Sequence, residues 1–159
     1  MGKLKYLVLH CTATPEGREV TADEILRWHT SAPPVGRGWK QVGYTDMIHL
    51  DGRVERLVDN NEDAQVDPWE ITNGAKGYNR TARHIVYVGG VERDGKTPRD
   101  TRTSEQRGAL EAYVKDFHRR FPHVRIVGHN ELAAKACPSF DVQEWLFKIG
   151  INNNSNVNV

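Results

Sequence analysis

Two histidines and a cysteine are the residues in this chain best suited to chemistry. His129 closes a short apolar run, and Cys137 follows it after a polar, alanine-rich loop within VGHNELAAKACPSFD, Val127 to Asp141. Imidazole nitrogen and thiolate sulfur are ligands that zinc takes readily, and Pro138, directly after Cys137, gives the loop a rigid exit. A third ligand must come from elsewhere in the chain. His10 is the best candidate, because it too ends an apolar run, Tyr6 to Leu9, that reads as a buried strand. Two strand ends side by side in one sheet can hold two imidazoles over the same point. Three protein ligands leave a fourth position open, which is the arrangement of a catalytic zinc, and the fitting reaction is hydrolysis of an amide or ester. Such chemistry also needs a group to manage protons and a cation to steady a developing oxyanion. Lys135, two residues before Cys137, is placed by the chain itself within reach of the metal, and Tyr44 opens a hairpin that can line the same cleft. The separation of His129 from Cys137 is unlike that of a zinc finger, and other trios among the seven histidines remain open. His49 and His84 are the substitutes to test, while His29 reads as a packed helix residue.

The elements that must position these side chains follow from periodicity. Tyr6 to Leu9 is continuous and apolar, as in a central strand covered on both faces. Thr21 with Glu24 makes a capping box, and Ile25 and Trp28 recur at helical spacing behind it. The proline- and glycine-rich SAPPVGRGWKQVG is a loop of the kind that walls a site. Tyr44 to Leu50 and Arg53 to Val58 flank Asp51-Gly52, which predicts a tight hairpin joined to the sheet through Met47, Ile48, Val54 and Leu57. Asp59 to Arg83 lacks periodicity and reads as a long loop. Ile85 to Val88 predicts a second buried strand, followed by a surface loop, VERDGKTPRDTR. Thr103 and Gln106 box the start of the longest helix, whose Leu110, Tyr113, Val114, Phe117 and Phe121 share a face and which Pro122 stops. Val124, Ile126 and Val127 predict the third buried strand, and Asp141 caps a last helix carrying Val142, Trp145, Leu146 and Ile149.

Interleaved strands and helices with one antiparallel hairpin predict an α/β fold: a single domain with a central mixed β-sheet and helices packed on its faces. Its expected extent is residues 1–150, with 151–159 a disordered or loosely ordered asparagine-rich tail. The length of 159 residues suits one domain that needs no disulfide staples, and two cysteines make no disulfide framework. Cys11 reads as a small buried filler, although a single bridge to Cys137 would consume the proposed ligand. Twenty-two basic against 21 acidic residues give a net charge of +1, without the electrostatic footprint of a nucleic-acid binder. No apolar stretch approaches a membrane span, and the opening MGKLKYLVLHC is too quickly polar for a signal peptide. A monomer made in the cytoplasm is expected, with neither nucleic acid nor membrane as partner.

LHCTAT around His10, VGYTDMIHLDGRVE at the hairpin, AKGYN from Ala75, VGG at Val88 and GHNELAAKACPSFDV stand in an order that resembles a known family. It is the zinc-dependent N-acetylmuramoyl-L-alanine amidases of type 2, most closely their bacteriophage lysozyme branch, related to the peptidoglycan-recognition proteins. The resemblance spans Tyr6 to Trp145. It implies Zn2+ held by His10, His129 and Cys137, Tyr44 as the proton-managing residue, Lys135 as the oxyanion stabiliser, and peptidoglycan as substrate, cut between the lactyl group of N-acetylmuramic acid and L-alanine. Relatives that recycle wall fragments tend to use Asp as third ligand and Glu where Tyr44 stands, so the pattern here implies a wall-lytic enzyme acting on the cell wall after release. Non-catalytic recognition members typically lose the cysteine, which keeps a peptidoglycan-binding module as the alternative reading. Two positions depart from the family: Asn73-Gly74 replaces a block that often carries histidine, and His84 stands where glycine is common. Both bear on the substrate groove, for which Trp39, Asn79 and His84 are the candidates.

Overall fold

The structure is a computed structural model and describes residues 2–152. In chain order it begins with strands β1 (Gly2–Lys3), β2 (Tyr6–Cys11) and β3 (Thr14–Pro15), then helix α1 (Ala22–Thr30). Strands β4 (Asp46–Ile48), β5 (Val54–Arg56), β6 (Gln65–Val66), β7 (Ala82–Tyr87) and β8 (Gly90–Val91) follow. Helix α2 (Ser104–Arg120), strand β9 (Arg125–Gly128) and helix α3 (Val142–Lys148) complete it.

The main sheet has the order β5-β4-β7-β2-β9, with only β5 antiparallel to its neighbour. The apolar run of β2 thus lies at the centre, where Leu7, Val8 and Leu9 are all but sealed from solvent. Side chains alternate across the strand, so Leu7, Leu9 and Cys11 face one way and Val8 and His10 the other. The first set joins Leu110, Val114 and Phe117 of α2 and Val142, Trp145 and Leu146 of α3 in the larger core. On the opposite face, Ile25 of α1 packs with Met47, Val86 and Val88. Both capping boxes form: Thr21 with Glu24 on α1, and Thr103 with Gln106 on α2. Gln106 also donates to the carbonyls of Ile48 and Val88, tying the start of α2 to the ends of β4 and β7.

Four local expectations are corrected. The Asp51-Gly52 hairpin closes with a three-residue loop, because Gly52 donates to His49 O at 2.9 Å in a turn and then sits in the left-handed region (φ 88°), as in a turn followed by a bulge. Val54 is 43% exposed, since β5 is an edge strand with only one neighbour. The stretch 59–83 is less irregular than its sequence: β6 pairs with β1, and buried Glu70 accepts from the backbone N–H groups of Asn61 and Asp67. The VERDGKTPRDTR segment begins in β8, which pairs with β3, and ends with Thr101 and Arg102 buried.

Ile151, expected in the tail, packs with the core instead. Gly150 N–H donates to Phe147 O and Ile151 N–H to Leu146 O, a Schellman cap in which the residue beyond the glycine makes an apolar contact. Ile151 is accordingly part of the core. The rest of the expected tail, from residue 153, lies outside the described residues. No helix among the described residues is long and apolar enough to cross a membrane.

Candidate active site

Parallel pairing of β2 with β9 sets Leu9 beside Gly128, so the residues that follow, His10 and His129, emerge next to each other at the carboxyl ends of adjacent strands. Their rings lie 4.7 Å apart between centroids. The loop after β9 brings Cys137 back beneath them: one ligand atom from each of His10, His129 and Cys137 falls within 4.8 Å of the others. Tetrahedral zinc, with bonds of about 2.0–2.1 Å to nitrogen and about 2.3 Å to sulfur, requires N and S ligands about 3.6 Å apart. His10 Nδ1 lies 3.7 Å from Cys137 Sγ, so the donor set fits that ion in both chemistry and spacing.

The cysteine loop is held from several sides. Tyr87 donates its hydroxyl to Pro138 O at 2.7 Å, and Ser139 donates to Gly90 O at 2.8 Å. The guanidinium of Arg102, paired with Asp100, lies 3.6 Å from the centre of the Phe140 ring. Cys11 is buried in the core as expected, and its backbone N–H donates to Cys137 Sγ at 3.2 Å. Both cysteines are free thiols, with no bridge between them.

Electrostatically the site is ready for a cation. Burial, aided by the neighbouring imidazoles of His84 and His129, holds His10 well below the usual histidine range. His129 is likewise lowered, by burial and then by the charge of Lys135. Both rings are therefore neutral and have a lone pair to offer near pH 7. A side-chain hydrogen bond with the Cys11 thiol and burial push the Cys137 thiol up, outweighing the backbone N–H of Cys11, which pulls it down.

The other sequence candidates fall around this centre. The Tyr44 ring sits 5.2 Å from that of His10, and burial raises its hydroxyl above the usual tyrosine range, so it carries its proton. Lys135 is exposed on the cysteine loop. Trp39, half-buried, stacks edge-on against His29 at 4.9 Å. His29 is a packed residue as expected, accepting from Gly43 N–H at 2.9 Å. His49 is held away from the site between Glu19 and Glu55. His84 differs most from expectation: as a groove candidate it should face solvent, yet it is completely buried, with Nδ1 2.8 Å from His10 Nε2 and Nε2 3.0 Å from Asn79 Oδ1. Strand pairing explains this, because His84 lies opposite Val8 on β2 and shares its face with His10.

An imidazole, imidazole and thiol gathered at the carboxyl ends of parallel strands make this an α/β protein with a side-chain cluster that could hold a metal ion. The comparisons with known proteins narrow the class. The profile of the N-acetylmuramoyl-L-alanine amidases matches residues 1–140, and the chain belongs to that family. The endolysin of Enterobacteria phage K11 is 36% identical over 138 residues, 87% of this chain and 82% of that protein. Among solved structures, the Ph2119 endolysin of a Thermus scotoductus bacteriophage superposes with a TM-score of 0.70 at 25% identity, covering 96% of this chain and 88% of that one. The N-acetylmuramoyl-L-alanine amidase LysC from Clostridium intestinale shares the fold, with a TM-score of 0.72 at 21% identity over 95% and 88% of the two chains. The protein is an enzyme of peptidoglycan lysis.

Proposed function

We propose that His10, His129 and Cys137 hold a zinc ion and that Tyr44 and Lys135 complete the machinery for cutting the amide between the lactyl group of N-acetylmuramic acid and L-alanine. The observation that carries the reading is the 3.7 Å separation of His10 Nδ1 from Cys137 Sγ within a three-ligand cluster. Bound there, zinc would supply Lewis acidity, polarising the amide carbonyl and making a water molecule acidic enough to attack near neutral pH. The chain's own residues do the rest. Lys135 brings positive charge beside His129 and Cys137, where it steadies the negative charge that develops on the carbonyl oxygen. Tyr44, held protonated, gives its proton to the departing alanine nitrogen and recovers one from the attacking water, so the proton count closes. With three protein ligands among the described residues, the site is suited to turnover rather than to a purely structural ion.

Similarity to a phage endolysin supports a setting in which the enzyme meets the wall from within an infected cell. The direct test follows turbidity of purified peptidoglycan and counts new amino termini. Clearing with new L-alanine termini is expected, and zinc-loaded protein that releases none would sink the reading. Wall binding of equal strength by wild type and Cys137→Ala, with no turnover by either, would favour a binding module instead.

A further inference from the structure

The polar groups behind His10 form a chain with a fixed direction. It begins at Ala75, whose backbone N–H can only donate, and which donates to the Asn79 side chain at 2.8 Å. The atom that receives it must therefore be the amide oxygen, Oδ1. The same oxygen lies 3.0 Å from His84 Nε2 and can only accept, so His84 carries its proton on Nε2. His84 is completely buried and, among the described residues, has no carboxylate against it, so it stays a neutral ring with one N–H. Its Nδ1 is then an acceptor, 2.8 Å from His10 Nε2, and His10 must place its own proton on Nε2. That leaves the lone pair of His10 on Nδ1, the nitrogen 3.7 Å from Cys137 Sγ.

The geometry points to His84 and Asn79 as positioning residues that select the metal-binding tautomer of His10 and hold its ring toward the ion. The inference rests on the zinc reading above and deepens it. Space for the relay is built in: a Cβ added at Gly74 would lie 2.6 Å from His84 Nδ1 and 2.6 Å from Gly43 O, so a residue without a side chain lets the backbone cover the ring. A buried filler would need none of this polarity. The Ala75, Asn79, His84 and His10 groups are each paired in the one sense that leaves Nδ1 bare, and ligating histidines whose second nitrogen is fixed this way gain metal affinity.

Two measurements test it without relying on turnover. Long-range proton–nitrogen spectra of the zinc-free wild type should show His10 protonated on Nε2 and bare on Nδ1; protonation on Nδ1 would overturn the proposal. Zinc affinity, by chelator competition, should fall about 10–100-fold in His84→Leu, which leaves the His10 N–H without an acceptor. His84→Asn can present an oxygen near the position of Nδ1 and should recover most of that loss, although both variants leave space in the core and melt earlier. A folded His84→Leu that binds zinc like the wild type would refute the relay. If that variant does not fold, Asn79→Ala tests the relay from its outer end: weaker zinc binding and mixed His84 tautomers are expected, and a variant that matches the wild type in both would refute it. Wild-type protein that binds no zinc would count against the amidase machinery, whereas the His10 spectrum judges the relay by itself.

Discussion

The proposed zinc chemistry gives each side chain of the His10, His129 and Cys137 centre and its surroundings a separable task, so single substitutions should fail in different ways. Cys137→Ser exchanges a soft thiolate for a hydroxyl and is expected to lose zinc affinity by at least about 100-fold, with turnover falling in step. Lys135→Ala should keep zinc stoichiometry and lose about 100-fold or more in kcat, as expected when an oxyanion donor is removed. Metal content measured beside activity separates the two, and zinc loss in Lys135→Ala would contradict its assigned role. Acid sensitivity belongs at this scale too. Burial, with Arg37 nearby, lowers His29 from its ordinary 6.5 to about 4, and burial lowers His84 to about 3. Below pH 6.5 the unfolded chain binds protons that the folded one refuses, so stability is complete above that pH and drains away as pH falls toward 4 and then 3. Thermal melts between about pH 7 and about pH 4.5 should show Tm dropping by several degrees, and His29→Asn, which keeps an acceptor for Gly43 N–H, should flatten the slope. The cluster of His10, His129 and Cys137 could be picked out from sequence because apolar runs ended at two of them and a proline followed the third. The role of His84 could not, since it depends on which residue of β2 lies opposite it, and register is invisible until the strands are paired.

Elements succeeded where one local rule governed them. Capping boxes identified the starts of α1 and α2, and continuous apolar runs identified β2, β7 and β9, because a strand buried on both faces has no polar side to interrupt it. Pairs such as β1 with β6 and β3 with β8 escaped notice: at two residues each they carry no periodicity, and only the partner strand defines them. Gln106 shows how a cap signal can understate a residue. It closes the box on Thr103 and also reaches two strand-end carbonyls while fully buried. Gln106→Met should fill the space yet abandon those partners, costing about 1–3 kcal/mol in chemical denaturation. A loss like that of an exposed cap alone, about 0.5 kcal/mol, would mean the strand contacts contribute little.

For the molecule as a whole, the mixed sheet with helices on its faces followed from the alternation of strands and helices, but the burial of Ile151 did not. Asparagines after Ile151 suggested a tail, whereas the cap on α3 draws that isoleucine inward. Ile151→Ala should therefore destabilise the protein by about 2 kcal/mol or more, read from the denaturation midpoint. The two faces of the sheet also divide the work. Leu7, Leu9, α2 and α3 build most of the apolar interior on one side, while His10, His84 and Tyr44 gather on the other. Substitutions that disarm the enzyme at the exposed Lys135 consequently touch little of what holds it upright. Such inactive versions should remain intact and serve as labels for the wall material that the working form destroys.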